Sequence, residues 1–153
     1  MRTATDDMDD HEDAAPSEEI LRRLVSALNR RDLDTVMSFF ANDCVFETPR
    51  GRRPWGRRLH GIENVREAFA AQIGRIPDAR YVEDEHLVCG NHGCSEWTLI
   101  GTKPNGEAVE FRGCDVWEFR EGKIVRRSSY WKFLGERSPG LAQPPPAAGP
   151  TYS

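Results

Sequence analysis

Several signals are missing from these 153 residues, and each absence removes a class of function. No apolar run approaches the ~18 residues of a membrane span, and the acidic opening is the reverse of a signal peptide's basic one. A soluble, cytoplasmic protein with no membrane partner is expected. The four cysteines, Cys44, Cys89, Cys94 and Cys114, form no C-x-x-C pair, and there is no H-x-H pair and no set of three convergent ligands on one element. No metal is expected, and each thiol, lying in or near a strand-like apolar stretch, reads as buried and free. Neither a nucleotide-binding glycine fingerprint nor a G-x-S-x-G elbow occurs, so serine nucleophile chemistry has no support and a domain without cofactors is expected.

Charge of one sign is also scarce once the chain is divided. The net charge of −4 comes from the start: residues 1–19 hold eight acids against Arg2 alone, which leaves the remainder at +3. That mild excess does not make a nucleic-acid binder, and the densest basic run, Arg50 to Arg58, lacks the interleaved aromatics of a base-stacking platform. This run, rich in Pro and Gly, reads as a solvated rim loop, with Trp55 the alternative as a lid.

What is present is one domain's worth of amphipathic pattern. Residues 1–16 and 135–153 lack the apolar periodicity that offsets ordering entropy and are expected to be disordered tails around a domain at 17–134. Ser17 with Glu18 and Glu19 reads as a helix start, and Ile20, Leu21, Leu24, Val25 and Leu28 follow at helical spacing. Asp32 is placed to cap a second, short helix carrying Leu33, Val36, Met37, Phe39 and Phe40, before a strand around Cys44 to Glu47. Gly61 precedes a third helix with Ile62, Val65, Phe69 and Ile73, which Pro77 ends. From Tyr81 the pattern becomes that of about four antiparallel strands, broken at Gly90 to Gly93, Asn105-Gly106 and Glu121-Gly122. Asn-Gly predicts a two-residue turn. Helices first and strands later argue for a segregated α+β fold in which helices cover a curved antiparallel sheet.

One residue is out of place in this pattern. Strand alternation puts Val109, Phe111, Gly113, Asp115, Trp117 and Phe119 on one face, apolar except for Asp115. Desolvation of such a carboxylate would favour its neutral form and suit it to proton transfer; the alternative is a structural carboxylate that pairs with a nearby Arg. Glu96, Thr98, Ile100 and Thr102 share one face of the preceding strand, and Val125, Arg127, Ser129, Trp131 and Phe133 one face of the last. Periodicity does not say which of these faces point inward. If Glu96 and Arg127 both face Asp115, the pocket holds two acids and one base. His60 reads as structural or capping, and His86 as a possible proton shuttle with no visible partner.

Three stretches, LVSALNRRDLDTVMSFFANDCVFETPRG, LHGIENVREAF and GCDVWEFREGKIVRRSSYW, resemble the nuclear transport factor 2-like superfamily, in its branch of ketosteroid isomerases and SnoaL-like polyketide cyclases. The resemblance spans roughly 17–134 and implies a cone of curved sheet closed by three helices, a ligand pocket between them, and a homodimer through the outer face of the sheet. It places Asp115 where the isomerase keeps its protonated aspartic acid, a relative that serves as the general example of a carboxyl held neutral by an apolar site. Two other isomerase positions are lost, the general base to Thr48 and the oxyanion tyrosine to Leu24, so steroid isomerisation is not expected.

What the resemblance implies instead is a cofactor-independent isomerase, cyclase, lyase or hydratase acting on a small hydrophobic or weakly polar carbonyl compound or epoxide. Asp115 and Glu96 would be the acid/base pair. Phe40, Thr48, Thr98, Phe111, Trp117, Arg127, Ser129 and Trp131 would line the pocket. The alternative is a non-catalytic dimeric domain of the same fold that binds a small molecule or docks a partner.

Overall fold

The computed structural model describes residues 15–132. The expected tails fall outside that range apart from Ala15 and Pro16, as does Phe133. Helix α1 (Glu18–Asn29) starts at an extended Ser17 whose side chain makes no cap bond, with Glu18 and Glu19 in the first turn, where carboxylates oppose the helix dipole. Its apolar stripe buries Leu21, Leu24, Val25, Ala27 and Leu28. Asp32 caps α2 (Leu33–Ser38) by accepting from Thr35 N at 3.1 Å. The second helix does not reach Phe40 as its apolar spacing predicted: Phe39 is the C-cap and β1 (Phe40–Glu47) begins at once. An exposed loop leads to β2 (Arg58–His60), and α3 (Ile62–Arg75) follows Gly61, whose φ of 86° suits glycine.

The rest of the chain is a meander of four strands, β3 (Arg80–Cys89), β4 (His92–Thr102), β5 (Ala108–Arg120) and β6 (Lys123–Trp131). Sheet order is β2-β1-β6-β5-β4-β3. All pairings are antiparallel except β1 with β6, which run parallel. Register shifts between Phe40 and Val45, between Val82 and Glu85, and between Glu118 and Phe119 bend the sheet around the helices. The two-residue primed turn stands at Glu121-Gly122, where φ is 50° and 71°. At Asn105-Gly106 only Gly106 has positive φ, and Gly106 N donates to Lys103 O: Pro104 holds the preceding corner, giving a longer loop than the dipeptide predicted.

The concave face and the helices share one core, whose fully buried side chains include Leu21, Leu24, Val36, Val65, Phe69, Trp97, Leu99, Trp117 and Ile124. Cys44 lies in it; Cys94 and Cys114 are half-buried on the convex face and Cys89 is exposed, so the thiols are free but only one is in the core. No helix among the described residues is long and apolar enough to cross a membrane.

Candidate functional site

Cross-strand register decides which polar groups meet. Asp115 on β5 lies opposite Ser95 on β4 and Ser129 on β6, and the adjacent rungs place Gly113 between Trp97 and Trp131, and Trp117 between Gly93 and Arg127. The concave face therefore gathers Asp115, Arg127, Ser129, Trp97, Trp117 and Trp131. Asp115 is 3% exposed and Arg127 0%. Arg127 Nη2 donates to Asp115 Oδ2 at 3.0 Å, Trp97 Nε1 donates to the same oxygen at 3.0 Å, and the Ser129 hydroxyl donates to Oδ1. Asp115 is thus not the isolated acid suggested by the pattern of its own strand. It receives three donors and belongs to a buried ion pair.

Arg127 is held from its other sides by aromatic faces: its Cζ is 4.8 Å from the ring centre of Phe46, 4.9 Å from Phe69 and 5.5 Å from Trp117. Burial works against its charge, but the Asp115 carboxylate and the Tyr81 hydroxyl outweigh it and raise its pKa above the ordinary arginine value. Burial likewise pushes the Tyr81 hydroxyl up, with Arg127 pulling the other way. Nε and Nη1 of Arg127 have no hydrogen-bond partner among the described residues. A buried guanidinium using one of its three nitrogens is costly, because each unmade bond forfeits solvation without replacement.

Tyr81 and Phe69 also border a hollow between the end of α1, the C-terminal half of α3 and β3, lined further by Leu28, Arg31, Gln72, Ile73, Ile76 and Ala79. Its volume is about 20 Å³, enough for about one water. Gln72 Nε2 donates to Tyr81 Oη at 2.6 Å and pins that side chain between the hollow and the guanidinium. The interior expected to be a ligand pocket is filled here by the protein's own Trp97, Trp117, Phe69 and Arg127.

Several predicted site residues lie elsewhere. Glu96 is on the convex face and pairs with Arg112, so it cannot form an acid/base pair with Asp115. Thr98 is buried on that same convex side, where its hydroxyl meets Glu83 at 3.3 Å. The parity of β4 carried this information: Trp97 and Leu99 alternate with Glu96 and Thr98, and the large apolar pair takes the inside. Thr48 ends β1 as a loop clamp, donating to Arg50 O and accepting from Arg57 N. Phe40 packs edge-on against Phe69 and Trp117 in the core, and Phe111 stacks on Trp131. Trp55 is exposed, with the Arg58 guanidinium 4.5 Å over its ring, which fits the rim reading of that loop. His60 is exposed in β2, its carbonyl accepting from Asn64.

Trp97, Ser95 and Asp84 escaped the sequence. Ser95, opposite Asp115, accepts from Trp117 Nε1 at 2.8 Å and lies 2.7 Å from His86 Nδ1. His86 Nε2 is in turn 2.8 Å from Asp84 Oδ2, which supplies the partners that His86 lacked in the linear pattern. Among the described residues no three His, Cys, Asp or Glu side chains are placed to hold a metal ion.

A family model for the SnoaL-like domain matches residues 21–127. The chain belongs to the SnoaL-like family. Solved structures agree with this SnoaL-like fold. A nuclear transport factor 2-like protein of unknown function from Burkholderia pseudomallei is 27% identical, with 75% of this chain and 89% of that one covered and a TM-score of 0.66. A candidate polyketide cyclase from Pseudomonas putida (18%; 74% and 90%; TM-score 0.64) and a candidate isomerase from Bacillus subtilis (19%; 74% and 84%; TM-score 0.64) share the fold. The SnoaL-like domain here is thus an α+β cone of the nuclear transport factor 2-like and cystatin-like type, as the three stretches implied.

Proposed function

We propose that this SnoaL-like protein is an isomerase- or cyclase-type enzyme that binds a small carbonyl compound inside the cone, with the carbonyl oxygen on Arg127. The observation that carries this reading is the pair of unmade N–H bonds on a guanidinium with no access to solvent. An oxygen that gains negative charge during enolisation would fill both, and donors fixed in advance in a dry site stabilise such charge most. Asp115 holds the guanidinium in place through Oδ2 and is the carboxylate beside the bound carbon, where it takes and returns the proton. Entry requires the Tyr81 and Phe69 side chains to move aside from the small hollow, and breaking the Gln72 bond is the main local cost.

The filled interior favours a second reading, a binding domain without catalysis in which the Asp115–Arg127 pair is structural. One experiment separates the two. Small β-dicarbonyl compounds are screened by ligand-observed NMR against the wild type and Arg127→Met, and deuterium uptake from solvent at their acidic carbon is followed for the binders. In variants that circular dichroism shows to be folded, binding lost in Arg127→Met, with exchange accelerated by the wild type but not by Asp115→Asn, supports the enzyme. Binding without accelerated exchange, or binding that ignores Arg127, overturns the enzyme and leaves the binding domain.

The same proposal includes a homodimer through the convex face, where Leu87 is 71% and Tyr130 61% exposed beside Cys94, Val116 and Cys114. Light scattering at a dimer mass for the wild type and a monomer mass for Tyr130→Glu is the expected result.

A further inference from the structure

A second concavity, sharing no lining residue with the hollow at Tyr81, lies between α1 and β3. It measures about 450 Å³ and is bordered by Arg22, Val25, Ser26, Asn29, Arg30, Arg80 and Asp84. That volume falls in the ordinary range of small-molecule sites. Its walls are fixed: Asn29 Nδ2 donates to Tyr81 O at 3.0 Å and Asn29 Oδ1 accepts from Tyr81 N at 2.8 Å, which ties the end of α1 to the start of β3.

The charges within it are unbalanced. Arg22 is engaged with Glu18 and Glu19. Arg30 spends Nη1 on the Ser26 hydroxyl and has no ion pair among the described residues, and Arg80 has neither a side-chain hydrogen bond nor an ion pair among them. Outside the groove Asp32 also acts on Arg30, while Asp84 is the only acid among the lining residues. Its position depends on a bulge: Glu83 takes a φ of 52° and the β3–β4 register shifts there, which turns Asp84 to reach His86. Asp84 Oδ2 is used by His86 Nε2, while Oδ1 has no hydrogen bond among the described residues.

We propose that this groove is a second binding site, for a small organic anion whose phosphate or carboxylate group lies on Arg30 and Arg80 and whose hydroxyl or amino group donates to Asp84. The cations neutralise the anion, Asp84 Oδ1 accepts the donor, and Arg80 gains a partner. The occupant is also felt inside the sheet. A donor on Asp84 weakens that carboxylate's hold on His86, and His86 is linked through Ser95 to Trp117, whose ring lies under the Arg127 guanidinium. The groove thus communicates with the concave face along Asp84, His86, Ser95 and Trp117.

The test is an NMR titration of the full chain, labelled at arginine and histidine, with glycerol 2-phosphate and separately with glycerate. Saturable shifts of the Arg80 side-chain and His86 imidazole signals are expected. Glycerol 2-phosphate alone would assign the phosphate class, and glycerate alone the carboxylate class. Arg30→Gln and Arg80→Gln, both at exposed positions, should each weaken binding about tenfold, the worth of one charged hydrogen bond. Asp84→Asn should retain binding of the anionic group while abolishing the His86 response. No saturable shift with either probe at tens of millimolar, or an affinity unchanged in both arginine variants, overturns the site. A His86 response that survives in Asp84→Asn overturns the link to the interior.

Discussion

Replacing Asp115 by Asn removes the anion that faces Arg127 in a region from which both are almost fully excluded from solvent. Asparagine keeps nearly the same shape, so packing is conserved and the change isolates charge. Arg127 retains its cation, lowered in free energy by the Tyr81 hydroxyl and by the aromatic faces of Phe46, Phe69 and Trp117, each face worth about 2 kcal/mol or more where desolvated. Removing one member of a buried pair costs about 3–5 kcal/mol, because the survivor remains buried and uncompensated. Whole domains hold only about 5–15 kcal/mol, so Asp115→Asn should lose a large share of the total. Urea unfolding followed by tryptophan fluorescence suits the measurement, since Trp97 and Trp117 are buried beside the pair. The midpoint should fall markedly with an unchanged slope, and Tm by about 10–20 °C. Arg127→Met added to Asp115→Asn should restore most of the loss, because an apolar side chain of similar length removes the orphaned charge. A single Asp115→Asn variant within about 1 kcal/mol of the wild type, or a double variant as unstable as the single, would refute the uncompensated-charge account.

Other consequences can be measured separately. In Gly113→Ala the new Cβ would lie 2.4 Å from Trp97 Cη2, so the indole must shift and its bond to Asp115 weaken; a loss of about 1–3 kcal/mol is expected in the same unfolding assay. Burial pushes the Cys44 and Cys114 thiols up to about 11, so alkylation at mildly alkaline pH, followed by mass spectrometry, should modify exposed Cys89 first and buried Cys44 last. Burial also raises the Tyr81 hydroxyl, so its contribution to stability is complete below pH ~10 and is lost as pH rises further; Tyr81→Phe should flatten the alkaline limb of stability against pH. Glu47 acts at the other end: burial works to raise it, but Arg58, Ser128 and Arg126 hold it below the usual range. Its stabilisation is present above pH ~4.5 and lost as pH falls, a dependence that Glu47→Gln should remove.

The helices, the four-strand meander and the inward face of β5 were legible because each depends on periodicity within a single segment. Asp115 stood out for the same reason. What lay beyond reach was relational. The donors of Asp115 come from β4 and β6, and only cross-strand register brings Trp97, Ser129 and Arg127 to one carboxylate. Glu96 was the cost of that gap: an acid near Asp115 in sequence order faced away, on a strand whose own apolar parity pointed to Trp97 and Leu99. His86 lacked partners in the sequence because Asp84 reaches it through a bulge, and a bulge breaks the alternation used to assign faces. Phe40 fitted a helical stripe and a buried strand start equally well, since a short apolar run suits either period.

The parallel contact between β1 and β6 bears on how the chain acquires its structure. Val45 lies beside Arg126 and Phe46 beside Arg127, so the strand that follows the first two helices finds its central neighbour only in the last strand described. Contacts of such long sequence separation demand loop closure before they return any free energy, which slows folding. During synthesis the Phe46 ring waits for residue 127 to emerge before it meets its cation, exposed meanwhile to other chains or to chaperones. Arg127 closes this gap, and its arrival both seats the sheet on β1 and assembles the charged centre. Folding and the completion of the site are therefore a single late event.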